Sequence, residues 1–156
     1  MTLRHLCIAV VALGAATLVA ADAAEPFYMG TWRFVTAAMA PWGFPTRLQD
    51  SADKARLIGK TVTLRPKEIA GPQPFACKGP QYQVSDFTAD KLFQGAFEEM
   101  QTRDKSIDPD KMAAALGFKG SSIKTLETGC EIDFHFIDAA TAQIAVDDYI
   151  YTLKKR

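Results

Sequence analysis

Glu131, Asp133 and His135 occupy alternate positions in the stretch GCEIDFHFID, residues 129–138. In an extended strand successive side chains point to opposite faces, so these three would share one face while Cys130, Ile132, Phe134 and Phe136 share the other. Two carboxylates and an imidazole at that spacing can converge on a cation. Asp133 could instead orient His135 as a general base. The plainer reading is a solvated strand face with charge pairing between neighbours, and the sequence favours it. His135 is the one histidine beyond residue 5, and no second histidine or cysteine pair completes a familiar metal-ligand spacing. There is no nucleophile elbow, phosphate loop, HExxH or Cys-x-x-Cys. A non-enzymatic role with no cofactor is the expectation.

A second set of candidates is aromatic. Trp42 and Phe44 in APWGF, and Phe75 in QPF, lie in Pro/Gly-rich loops. Loop aromatics of this kind can rim a pocket for an apolar or flat ligand, or pack as a lid over the core. Trp42, Phe44, Phe75 and His135 are therefore the expected ligand contacts.

The chain begins with Arg4 and His5, an apolar run over residues 6–21, and the small-residue close Ala21-Asp22-Ala23. That is the layout of a secretory signal peptide over residues 1–23, and the run is shorter than the roughly 20 residues a spanning helix needs. Cys7 sits at the start of the run, not at its end, which argues against lipid attachment. The remaining residues, 24–156, make one domain with no repeat or linker, long enough to bury a core unaided. Arg4 and Asp22 leave together, so the processed chain keeps the formal net charge of zero. It has no basic excess for nucleic acid or anionic lipid, and no later stretch is long enough to span a membrane. A periplasmic or secreted location follows. Cys77 and Cys130 survive processing. In an oxidising compartment the even pair is expected to form a disulfide, and closing a loop of that length gives about 4 kcal/mol in the chain-entropy account.

The pattern that must position these residues is mostly extended. Strands are expected over residues 31–37, 60–66, 81–87, 122–127, 130–138 and 141–156, the last one turning at Asp147-Asp148. Short helices are expected near 50–59, over 88–100, and over 108–116, where Asp108 caps, Pro109 takes the first position and Gly117 ends the run. Residues 40–50 read as a packed loop. The fold class is mainly β, a small antiparallel barrel with two or three short helices, because closure disposes of sheet edges.

Gly30-Thr31-Trp32 on the first strand resembles the Gly-x-Trp signature of lipocalins. The resemblance implies a lipocalin-like β-barrel in which Trp32 closes one end and a basic residue near the last strand, Lys154 or Arg156, packs over it. The segments GTW, LIGKTVTL, GPQPFACKGPQY and TLETGCEIDFHF are also similar to small exported bacterial proteins, a resemblance that implies no activity. The leading expectation is a periplasmic barrel that binds a small, partly apolar ligand. The alternative is an envelope protein-binding factor, such as an inhibitor of lysozyme-type hydrolases, presenting the loop KEIAGPQPF. A third is a metal-binding protein or enzyme using Glu131, Asp133 and His135.

Overall fold

A computed structural model describes residues 25–43 and 55–156. Nine strands form one antiparallel sheet: β1 Gly30–Met39, β2 Thr61–Arg65, β3 Glu68–Ala70, β4 Cys77–Lys78, β5 Gln83–Phe87, β6 Ile123–Glu127, β7 Phe134–Asp138, β8 Thr141–Val146 and β9 Tyr149–Lys155. Their spatial order is β4-β3-β2-β1-β9-β8-β7-β6-β5. The sheet curls into a half-barrel and is not a closed barrel, so the closed form expected from the sequence is corrected. The two edges, β4 and β5, are consecutive in the chain, and residues 79–82 cross between them. The cause of the opening is local. β4 pairs through two residues only, and Pro72, Pro74 and Pro80 around it supply no N–H for a ladder.

One side-chain hydrogen bond bridges the opening, from the Tyr82 hydroxyl to the Arg65 carbonyl at 3.0 Å. On either side of it, Gly79 N–H donates to the Lys67 carbonyl beyond the β3–β4 pairing and Gln81 N–H to the Thr128 carbonyl beyond the β5–β6 pairing. The Cys77–Cys130 disulfide is present, as the cysteine count implied. Gly129, in the left-handed region at φ 68°, turns the chain out of β6 toward it. The strand expected over 130–138 accordingly starts only at Phe134. Before it, Thr128 Oγ1 donates to the Ile132 carbonyl and accepts from Cys130 N–H, which fixes a turn in place of a ladder.

Alternation sorts the sheet into two buried faces. Trp32, Phe34, Val62, Leu64, Leu126, Phe134, Phe136, Ile144, Tyr151 and Leu153 fill the concave side. Ile123, Ile150 and Ala145 lie on the convex side against Leu92, Phe93, Phe97, Ala113 and Phe118. Leu92, Phe93 and Phe97 come from α1 Leu92–Arg103, Ala113 from α2 Pro109–Ala115, and Phe118 from the segment after it; a 3₁₀ turn, Ala89–Lys91, precedes α1 and adds Ala89 to the cluster. Asp108 caps α2, accepting from Asp110 N–H at 3.1 Å and Lys111 N–H at 3.2 Å, with Pro109 next and Gly117 (φ 97°) at the exit. The expected helix near 50–59 lies partly outside the described residues; of the part described, Ala55 is helical and 56–59 form a turn. The Asp147-Asp148 hairpin joins β8 to β9, with Val146 paired to Tyr149.

Trp32 is fully buried, and its indole N–H donates to the Tyr28 carbonyl at 2.8 Å. The cation over its ring is Lys155, 5.9 Å from the centroid, and not Lys154 or Arg156. Strand register decides this, since Trp32 sits directly opposite Lys155. Lys154 donates instead to Thr141.

Candidate functional site

The structure separates the three ionisable residues of the alternating row. Glu131 is exposed and Asp133 half-buried, both on the turn that precedes β7, while His135 is buried. Burial raises the Asp133 carboxyl above its usual range; a backbone hydrogen bond with Thr128 works against the rise and the Glu127 charge adds to it. No group of three metal-ligating side chains comes together among the described residues. The expectation of a solvated face fails at His135, because α1 lies over it.

His135 is instead a structural acceptor. Its Nε2 lies 3.0 Å from the backbone nitrogen of Phe93, and its Nδ1 lies 2.9 Å from Thr125 Oγ1. A backbone N–H can only donate, so Nε2 carries the lone pair, and the ring is neutral with its proton on Nδ1 facing the Thr125 oxygen. Burial pushes its pKa down to about 3, since a charge there would lose its hydration. With both nitrogens engaged and the ring 1 % exposed, no substrate reaches it as a base.

What His135 holds is an unusual turn. Phe93 (φ 53°, ψ 51°), Gln94 (φ 56°, ψ 36°) and Gly95 (φ 79°, ψ 16°) are all left-handed at the start of α1. For a residue with a Cβ that conformation costs about 1–2 kcal/mol, so Phe93 and Gln94 need holding from outside. The His135 acceptor supplies one hold. The Phe93 ring supplies another, packed edge-on to His135 with centroids 4.8 Å apart. The Gln94 side-chain amide reaches the Glu131 carbonyl at 3.4 Å.

Trp42 also packs on Phe93, with ring centroids 5.6 Å from Phe93 and 6.0 Å from Phe97. The loop that carries Trp42 is tied to the β8–β9 hairpin, Ala40 N–H donating to the Asp148 carbonyl at 2.8 Å. Between this loop, α1 and the hairpin lies an open cleft of about 380 Å³, with Trp42, Phe93 and Met100 as its apolar wall and Glu99, Arg103 and Asp147 on its rim. Arg103 pairs with Glu99, and Arg56 approaches Asp147 at 3.6 Å. Such exposed pairs are worth little and yield readily to a competing partner.

Trp42 and His135 thus both pack on the Phe93 ring, Trp42 lining the cleft and His135 buried. Phe75 is elsewhere. It is buried in the concave core, 5.2 Å from Phe34 by ring centroid. Phe44 lies outside the described residues. The concave core is packed where these rings meet; the void beside Phe75, Ile132 and Phe134 measures about 10 Å³, room for one water at most. The loop KEIAGPQPF folds back on itself through Phe75 N–H to the Pro72 carbonyl, which turns its aromatic residue inward.

Phe93, Gln94 and the Asp147 rim were not among the residues the sequence marked out. Gly95 inside a helical pattern was the available signal, since a glycine there costs helix stability and is kept where a special dihedral is needed. Comparison of the chain with protein-family models, with curated proteins and with solved structures finds no match in any of the three.

Proposed function

We propose that this protein is a non-enzymatic binding protein that acts after export and takes a small, partly apolar ligand in the cleft beside Trp42. The observation that carries the reading is a half-buried tryptophan stacked on Phe93 and Phe97 at the wall of an open cleft of about 380 Å³. Small-molecule sites combine apolar walls with placed polar groups; here Trp42, Phe93 and Met100 face Gln94, Glu99, Arg103, Asp147 and Asp148, so a ligand would present an apolar face and polar groups together. The ligand would sit outside the half-barrel, since the large aromatic side chains fill the concave side. The disulfide is compatible with an exported protein. The hydrolase-inhibitor reading rests on the loop KEIAGPQPF, whose aromatic residue Phe75 is buried and would not be presented to a partner.

Tryptophan fluorescence titration against a panel of lipids, haem and small metabolites tests the proposal. Trp42 reports the cleft, while Trp32 is buried and gives a constant background. A saturable change that Trp42→Phe abolishes is the expected result. A panel with no response, or a response that survives Trp42→Phe, rejects the cleft.

A further inference from the structure

We propose that His135 is the positioning residue of the Trp42 cleft: its Nε2 lone pair latches the Phe93–Gly95 turn in the left-handed form, and that turn sets the cleft's inner wall. The latch stands on geometry alone. Its consequence for ligand binding rests on the function proposed above.

The argument starts from the wall. Phe93 and Gln94 both line the cleft, and both hold a conformation that residues with a Cβ rarely adopt unaided. A right-handed continuation of α1 through residues 93–95 would rotate these side chains to new directions. The choice between the two forms falls on the Phe93 N–H, which a right-handed start would aim along the helix axis and which here points into the sheet, to His135 Nε2 at 3.0 Å. The imidazole is fixed in turn. Thr125 Oγ1 accepts a hydrogen bond from Nδ1–H and donates its own O–H to the Ile123 carbonyl at 3.5 Å. The relay runs from strand β6 through β7 to the first turn of α1.

The surroundings keep the imidazole an acceptor. The side chains that face it are Thr125 from β6, Gln143 opposite it on β8, Phe87 from β5 and Phe93 from α1. Farther along the same face are Glu127 on β6, which accepts from Ser85, and Asp133 before β7. The charged groups Asp86, Lys124, Glu98, Glu99 and Arg103 on the packing elements are exposed. Among the described residues these groups place no counter-ion beside the ring to favour an imidazolium, whose second N–H would confront the Phe93 N–H donor.

The test uses the full disulfide-bonded domain and two readouts. In the wild type, NMR should give an acceptor-type Nε2 resonance, left-handed Cα shifts for Phe93 and Gln94, and a slowly exchanging Phe93 amide. His135→Leu, which keeps the bulk and removes the acceptor, should speed exchange at Phe93 at least tenfold while the Phe34 and Tyr151 amides keep their protection. His135→Gln, which can present an oxygen near the Nε2 position, should restore it to within about threefold. An Nε2–H tautomer in the wild type overturns the latch even if no variant folds. Unchanged exchange and left-handed shifts in His135→Leu also overturn it. Titration of the same proteins with the fluorescent apolar probe 1-anilinonaphthalene-8-sulfonate then separates the two ideas. Trp42-dependent binding that weakens severalfold in His135→Leu and recovers in His135→Gln supports the positioning role. Equal binding in all three, with the latch intact by exchange, removes that role and leaves the cleft standing; no Trp42-dependent binding in any protein rejects the cleft for this class of ligand and the positioning role with it.

Discussion

Cys77 and Cys130 join the two sides of the sheet that strand pairing leaves apart. Cys77 is on edge strand β4, and Cys130 follows β6, the neighbour of the other edge β5; their Cα atoms are 6.5 Å apart. Residues 79–82 cross the same gap and the Tyr82 hydroxyl reaches the Arg65 carbonyl over it, so the opening is spanned covalently by backbone and by sulfur, with one hydrogen bond beside them. A half-barrel with loose edges would expose unpaired strand groups to other chains. The bridge restrains both edges together.

Reduction should therefore destabilise the domain markedly. The two cysteines are 53 residues apart, and freeing a loop of that size costs about 4 kcal/mol in the chain-entropy account. Urea midpoints with and without reductant, and for Cys77→Ser/Cys130→Ser, measure it. Equal midpoints would show that the edges hold without the bridge.

Substitutions in the left-handed turn should have signs opposite to those in an ordinary helix. Gly95→Ala, which elsewhere would gain about 1 kcal/mol, should lose about 1–2 kcal/mol at φ 79°. Gln94→Gly should be neutral or stabilising by up to about 1 kcal/mol, because it relieves the Cβ at φ 56°. Thermal or urea unfolding of the two variants decides it. A stabilised Gly95→Ala would mean that residues 93–95 are right-handed.

The cation over Trp32 gives a finer check on register. Lys155→Met should lower stability by about 0.5–1 kcal/mol and shift the Trp32 indole N–H resonance, because Lys155 lies over that ring. Arg156→Met should leave both unchanged, since Arg156 is tied to β1 through its backbone, from its N–H to the Thr31 carbonyl. The reverse pattern would move β9 by one residue against β1, which would also exchange the two faces of the strand.

The sequence carried the strands well because alternation and β-branching are local. Thr61-Val62-Thr63 and the run through Ile144 read as strands from their own side chains, and the Asp108-Pro109 start of α2 is a local signal as well. Closure was not legible, because it depends on what β4 and β5 can offer each other across residues 79–82. The row Glu131, Asp133, His135 misled for a related reason. Alternation tells which side chains share a face, but a solvated face and a face under a helix have the same period. His135 among polar neighbours reads as wet until α1 is laid over it. The left-handed turn left only Gly95 as a trace, since Phe93 and Gln94 themselves favour no such conformation.

The pH dependence of stability follows from that burial. His135 has a pKa of about 3 in the folded protein against 6.5 for the free side chain. Below pH 6.5 the unfolded chain takes up a proton that the folded chain refuses, so stability falls as the pH falls, and the loss ends near pH 3. The slope is at most about 1.4 kcal/mol per pH unit, and the whole loss is on the order of 5 kcal/mol. Asp86, Asp104, Asp108 and Asp138 have lowered pKa values from their hydrogen bonds, and their stabilisation fades only as the pH drops through and below the ordinary carboxylate range. Asp133, raised by burial, acts in the opposite sense, favouring the folded state as it protonates at a higher pH than the free carboxyl. Between about pH 6.5 and 5 the histidine therefore sets the slope. Urea midpoints of the wild type should fall steadily across that window at constant ionic strength, while those of His135→Gln stay nearly level. Parallel profiles for the two proteins would show that the imidazole is solvated in the folded state and is not buried beneath α1.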